Sequence, residues 1–239
     1  MRPFQNPVAV DVSPLKLSEE WSGLTSAATV LRESPAKRMF FLLCALALLA
    51  GCITTSPKLN QLTSAEKQAG WVLLFDGESL AGWTQRDQAR WDAVDGAIAY
   101  RAGTGPGFLC TTRSFGDFEL KVDFWVDEAA NSGVFLRCPQ AGPIVATNAY
   151  EVNIYDAHLK WPTGSINEVA LRMGDTTSAG RWNHFDITAQ GNHLVVRFNG
   201  RAVVDTHDDR EKFGPIGLQQ FQGNGMVKFR NIKLRPLGQ

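Results

Sequence analysis

The chain has 239 residues, 44% of them apolar, and its 24 basic and 24 acidic side chains give a formal net charge of zero. That balance excludes the clustered basic charge of a nucleic-acid footprint, so no nucleic-acid partner is expected. After the N-terminal quarter about 185 residues remain, enough for one domain with a sizeable core.

Residues 1–38 show no sustained periodicity and end on the basic pair Lys37-Arg38. They read as an N-terminal extension preceding the true signal, with translation starting near Val30, Leu31 or Met39. From Met39 runs "MFFLLCALALLA". At about 12 residues this stretch is too short to span a bilayer, and it fits the apolar region of a secretory signal. "LAGC" (49–52) resembles the lipobox of bacterial lipoproteins, which implies lipidation at Cys52. Residues 39–52 thus read as a lipoprotein signal, or else as an ordinary signal cleavage site that precedes a cysteine, and by the resemblance Ile53 in place of Asp implies the outer membrane, facing periplasm or cell surface. The polar stretch 53–68, "ITTSPKLNQLTSAEKQ", reads as a tether. The domain proper is expected over 69–239.

"DFELKVDFWV" (117–126) alternates strictly, with Phe118, Leu120, Val122, Phe124 and Val126 on one face. "SGVFLR" (132–137), "YEVNIY" (150–155), "HFDITA" (184–189), "HLVVRF" (193–198), "AVVDT" (202–206), "IGLQQF" (216–221) and "VKFRNIKL" (227–234) follow, bounded by turn residues. Asn199-Gly200 suits the positive φ angles of a two-residue type I′ hairpin. Asp76-Gly77 and Asp95-Gly96 are turn signals, and Trp83 and Trp91 read as packing residues. Many short strands and no long amphipathic helix predict an all-β domain of two packed antiparallel sheets. Cys110 and Cys138 remain in the domain, free or paired.

The strand "YEVNIYDAH" (150–158) raises the functional question. Residues two apart share a face, so Glu151, Asn153 and Tyr155 line one side while Val152 and Ile154 pack into the other. A solvated outer face would account for that pattern, and so would a polar cleft.

Several separated stretches bear on the choice. "GWVLLFDGESLAGW" (70–83), "WDAVDGAI" (91–98), "DFELKVDF" (117–124), "NSGVFLR" (131–137), "YEVNIYD" (150–156), "TGSI" (163–166), "RWNHFDI" (181–187), "GPIGLQ" and "VKFRNIKLRPL" together resemble the 3-keto-disaccharide hydrolase domain family. The resemblance implies a concanavalin A-like jelly-roll sandwich of two antiparallel sheets. It also implies action on glycosides oxidised at C3: a base removes the C2 hydrogen, the C1 glycosidic oxygen departs by β-elimination, and water adds to the product. Such chemistry needs a base near C2, an electrophile for the C3 oxygen and acid help for the leaving oxygen.

Glu151 is the first candidate for the base. Arg137, expected to share a face with Gly133 and Phe135, is the candidate for stabilising the developing charge, or else a structural partner of Glu151. Asp156 and His158 on the following loop are further catalytic candidates. No cofactor is certain, but a divalent metal cation held by Glu151, Asp156 and His158 is a candidate. Asn153, Tyr155, Lys160, Trp161 and Gln219 are candidate carbohydrate-binding residues, with Trp161 as a stacking platform. Asn131 and Ser132 read as turn residues. Lys228 and Arg230 share one face of the last strand, and which sheet face is concave is left open. Where some family members show a histidine near "GLQ", this chain has Gln220, Phe221, Gln222 and Gly223.

Three other readings stay open. A carbohydrate-binding module would share the fold without the chemistry. Retaining glucanases carry E-x-D-x-x-E at the spacing of Glu151, Asn153 and Asp156, with two of the three residue types differing here. A structural envelope lipoprotein would need no polar cleft.

Overall fold

The computed structural model describes residues 58–222 and 225–238. The expected extension, signal and lipidated Cys52 lie outside the described residues. A short helix α1 (Ser64–Gln68) precedes thirteen strands. They are β1 (Val72–Leu73), β2 (Trp83–Asp87), β3 (Trp91–Val94), β4 (Ala97–Tyr100), β5 (Gly107–Thr111), β6 (Phe118–Val126) and β7 (Asn131–Leu136). The remaining six are β8 (Tyr150–Ile154), β9 (Trp182–Gln190), β10 (His193–Phe198), β11 (Arg201–His207), β12 (Gly217–Gln222) and β13 (Val227–Pro236).

The strands form two antiparallel sheets, one ordered β11-β10-β9-β6-β13-β4-β3 with β1 added on β13, the other β2-β5-β12-β7-β8. After β4 the chain crosses from sheet to sheet, which makes the jelly-roll sandwich. The alternation of β6 seals one half of the core: Phe118, Leu120, Val122, Phe124 and Val126 are buried, and Glu119, Lys121, Asp123 and Trp125 look outward. Val134, Leu136, Tyr150, Val152, Ile154 and Leu218 close the core from the five-stranded sheet.

The turn chemistry works as the sequence predicts. Asn199 and Gly200 take φ of 49° and 82°, joining β10 to β11, and Asp95 and Gly96 take 51° and 73° between β3 and β4. These are the left-handed angles a type I′ hairpin demands. Trp83 and Trp91 are buried as expected, but each begins a strand. Strands β2 to β5 escape a period-two reading because they are short and, in β5, buried on both faces, which erases alternation.

The tether ends earlier than its composition implies. Asn60 is buried: its backbone donates to Asn231 Oδ1 at 2.7 Å, its Oδ1 accepts from the Asn231 backbone at 2.8 Å, and its amide reaches Gly96 O at 2.8 Å. Helix α1 carries a Thr63/Glu66 capping box, and Glu66 accepts from Lys233 Nζ at 3.0 Å. Asn60 and Glu66 of this segment are therefore partners of the sandwich.

Cys110 and Cys138 are free and buried beside Gly217, where an added Cβ would stand 3.6 and 3.2 Å from their sulfurs. Burial pushes the Cys110 thiol up to about 11 and raises Cys138 further.

Candidate active site

The outer face of the five-stranded sheet carries a cleft of about 430 Å³. Strand β8 supplies Glu151 and Asn153 to it, since Tyr150, Val152 and Ile154 take the core face. Its neighbour β7 pairs Gly133 with Asn153 and Phe135 with Glu151, and β12 sets Gln219 against Gly133. Beyond them β5 contributes Phe108, whose ring meets Phe135 edge-to-face at 5.0 Å. Such an aromatic pair contributes about 0.5–1.5 kcal/mol and fixes a rigid apolar floor. Ile144, Val145 and Phe221 extend that apolar wall, with Val145 and Phe221 both 46% exposed.

Glu151 stands out electrostatically. It is only 7% exposed, and its Oε2 accepts a 2.6 Å hydrogen bond from Asn167 Nδ2. Among the described residues no Arg or Lys lines the cleft. Burial therefore pushes its carboxyl up to about 7, and the Asn167 hydrogen bond only partly offsets this. The carboxylate crosses over Gly133, where a Cβ would lie 3.1 Å from its Cγ and Oε1. Glycine there leaves room for the acid.

His158 also lines the cleft. Its Nδ1 accepts from the backbone N–H groups of Trp161 at 2.9 Å and Lys160 at 3.2 Å. Two donors on Nδ1 place the proton of the neutral ring on Nε2, making that nitrogen a donor. Asn153 donates to the carbonyl of Trp161, and its backbone pairs with Ser165 O and Gly164 N at 2.9 Å each.

Other sequence candidates go elsewhere. Arg137 is not in the cleft. It has left-handed backbone, φ 54°, so it leaves the alternation of β7 and turns its guanidinium into the loops. There, 1% exposed, it donates to Gly116 O (3.0 Å), Gly191 O (2.9 Å), Glu211 O (2.8 Å) and Asp117 Oδ1 (3.1 Å). Nor does it pair with Glu151. Asp156 spends both oxygens on Thr163 Oγ1 (2.6 Å), Ser178 N (2.7 Å), Ser178 Oγ (2.8 Å) and Ala179 N (3.3 Å). Burial alone would raise its carboxyl, but these bonds outweigh burial and hold it below the usual range. The expected metal set of Glu151, Asp156 and His158 is consequently not assembled, and among the described residues no three acidic, His or Cys side chains converge as a metal cluster.

Tyr155 lies past the end of β8 and packs edge-on against His158 at 6.1 Å. Lys160 sits over the Trp161 ring at 4.7 Å, and neither side chain lines the cleft. Trp161 serves the site through its backbone, not as a stacking platform. Lys228 and Arg230 lie on the outer face of the other sheet, over Trp125 and Trp182 at 5.6 and 3.8 Å. Gln219 is in the cleft, with a buried Oε1 that has no partner among the described residues.

Sequence reasoning missed Asn167, Asp87, Phe108, Phe135 and Phe221 as cleft residues. Asn167 directly follows the quoted "TGSI", and nothing local to it signals the strand it will face.

Residues 70–235 match the 3-keto-alpha-glucoside-1,2-lyase-like domain. The chain belongs to this family. A curated relative, the 3-keto-disaccharide hydrolase of Bacteroides thetaiotaomicron, is 30% identical over 170 residues, covering 58% of this chain. This chain spans 59% of that relative's length. Among solved structures, a proposed glycosyl hydrolase from Parabacteroides distasonis superposes with a TM-score of 0.67 at 20% identity, over 76% of this chain and 100% of that one. The carbohydrate-binding module CBM66 of Bacillus subtilis superposes at 0.52 with 20% identity, over 64% and 95%. Both likenesses show the fold alone.

Proposed function

We propose that this domain cleaves 3-keto-glycosides, with Glu151 as the base that takes the C2 proton. The observation that carries the reading is the buried carboxyl of Glu151, pushed to about 7 in a cleft that no described Arg or Lys lines. A carboxylate so placed is a stronger base than one in water, and its proton affinity suits work near neutral pH. Family membership and the relative from Bacteroides thetaiotaomicron supply the substrate class.

In the proposed reaction Glu151 breaks the C2–H bond, whose electrons pass toward the C3 oxygen as an enolate. Collapse of the enolate forms the C1=C2 double bond and expels the C1 oxygen with its electron pair. His158, a donor at Nε2, holds that oxygen by a hydrogen bond as it departs, and the proton the oxygen takes up is the one Glu151 removed from C2, which returns Glu151 to its ionised form. Water then adds across C1=C2, its oxygen at C1 and a proton at C2, which completes a net hydrolysis. The charge on the C3 oxygen meets no guanidinium; the amides of Asn153 and Gln219 are the cleft donors for it. The Phe108 and Phe135 floor offers an apolar surface to the face of a sugar ring.

A second reading, a module that binds carbohydrate without reacting, is compatible with the same fold, which CBM66 shares. Product analysis separates them. The domain is incubated with a 3-keto-disaccharide and, in parallel, with the unoxidised sugar. Release from the oxidised sugar alone is expected; cleavage of the unoxidised one would indicate a plain glycosidase, and binding without products would indicate the module.

A further inference from the structure

Asn167 does more than cover Glu151. Its backbone N–H donates to Glu151 O at 2.9 Å, and the preceding residue forms the Val152–Ile166 bridge. On its other side Ile166 and Ala170 exchange two hydrogen bonds of 2.9 Å, which closes the chain into a tight turn. The backbone of Asn167 is thus fixed against β8 from both directions. The side chain is 9% exposed, lines the cleft and donates from Nδ2 to Glu151 Oε2 at 2.6 Å. The reverse orientation would set two acceptor oxygens against each other, so the ionised carboxylate selects this one. That leaves Asn167 Oδ1 buried with no partner among the described residues. A buried acceptor without a donor is costly, and a hydroxyl supplied by a ligand would satisfy it.

We infer that Asn167 is both a positioning residue and a sugar contact: its amide N–H holds Oε2 of Glu151 so that Oε1 faces the substrate, and its Oδ1 accepts a sugar hydroxyl. The two ends of one amide then lock the base and the substrate into a shared geometry. This deepens the reading of Glu151 as the base and rests on it. The other titratable groups lining the cleft are Asp87 and His158, on different elements.

The test uses Asn167→Ala, which removes both bonds, and Asn167→Asp, which keeps the shape and the acceptor but removes the donor. First, the Glu151 carboxyl is titrated by carbon NMR, assigned by its loss in Glu151→Gln; this needs no activity. Its midpoint should rise in Asn167→Ala and rise further in Asn167→Asp, where two carboxyls compete for one proton. Second, binding of a 3-keto-disaccharide should weaken about tenfold in Asn167→Ala, the scale of one neutral hydrogen bond, and less in Asn167→Asp. Third, the acid limb of kcat against pH should move with the titration midpoint. An unchanged Glu151 midpoint would overturn the positioning role, and unchanged binding would overturn the sugar contact. If the titration shifts while the wild type releases no product, Asn167 still positions Glu151 and it is the proposed reaction that fails. Thermal melts confirm folding, and the near-isosteric Asp variant decides if Ala unfolds.

Discussion

The outer faces of the two sheets treat ionisable groups in opposite ways. On the eight-stranded sheet Asp123 Oδ1 meets His184 Nδ1 at 2.6 Å, and His184 Nε2 meets Asp186 Oδ1 at 3.2 Å. Asn231 donates to Asp123 Oδ2 at 2.6 Å, and Arg235 grips Glu119 at 2.6 Å. Burial works against the charged ring of His184, but its two aspartates prevail and raise it to about 9. His184, Asp123 and Asp186 are there held charged by one another. On the five-stranded sheet Glu151 has one neutral amide and an apolar wall, and burial drives it toward its neutral form. An Asp-His-Asp line resembles a catalytic device at first sight, yet its charges are already spent on one another. The lone acid is the one left with proton affinity to use.

Replacement of Glu151 probes this contrast most severely. Glu151→Gln should lower turnover of a 3-keto-glycoside by about 100- to 10,000-fold, the usual scale for a lost general base. In the wild type, activity should rise with pH through about 7, where the base loses its proton. Stability should move the other way. A carboxyl raised from 4.5 to about 7 on folding gives stability that is complete below pH 4.5 and lost as pH climbs through about 7. The neutral glutamine does not lose it, so the variant should be the more stable protein above pH 7 by roughly 3 kcal/mol in denaturant melts. A variant less stable than wild type at pH 8 would sink the account of Glu151 as an unpaired buried acid.

Arg137→Met should show the reverse signature: stability lowered by roughly 3–5 kcal/mol, the cost of breaking a buried charged network, with turnover per folded molecule retained. A selective loss of turnover with an unchanged melt would return Arg137 to the chemistry. Gly133→Ala sharpens the comparison inside the cleft. Its Cβ meets Glu151 at 3.1 Å, so overpacking should cost about 1–3 kcal/mol and turnover should fall as the carboxylate is displaced. Equal activity and an equal melt in Gly133→Ala would show that the acid has slack. The smallest effect belongs to the paired face. His184→Gln should leave turnover unchanged and lower stability by about 1 kcal/mol, a figure reduced because the ring is about one-third exposed. A His raised from 6.5 to about 9 gives stability complete below pH 6.5 and lost as pH rises through about 9. The gap between variant and wild type should therefore close above pH 9.

Much of the frame was legible in the residues. Alternation in β6, β9 and β10 and the dipeptide Asn199-Gly200 encode their conformation within a few positions, because pleat and turn are local. The same logic put Glu151 and Asn153 on one face of β8. It failed at Arg137, where one left-handed residue ended the alternation. It failed for β5 as well, whose two buried faces leave no polar beat to read.

What the sequence by itself determined is the class of fold, the identity of most strands and the strand that carries the acid, since each rests on periods of two and on turn residues a few positions apart. What only the tertiary structure decided is who meets whom. Glu151 and Asn167 are 16 positions apart and joined by one hydrogen bond, Phe108 and Phe135 come from strands separated by β12, and Asp156 turns from metal candidate to loop anchor through Ser178. Charge state follows from those meetings, because a carboxyl is moved by the water it loses and the partners it finds, and neither is a property of its neighbours in sequence.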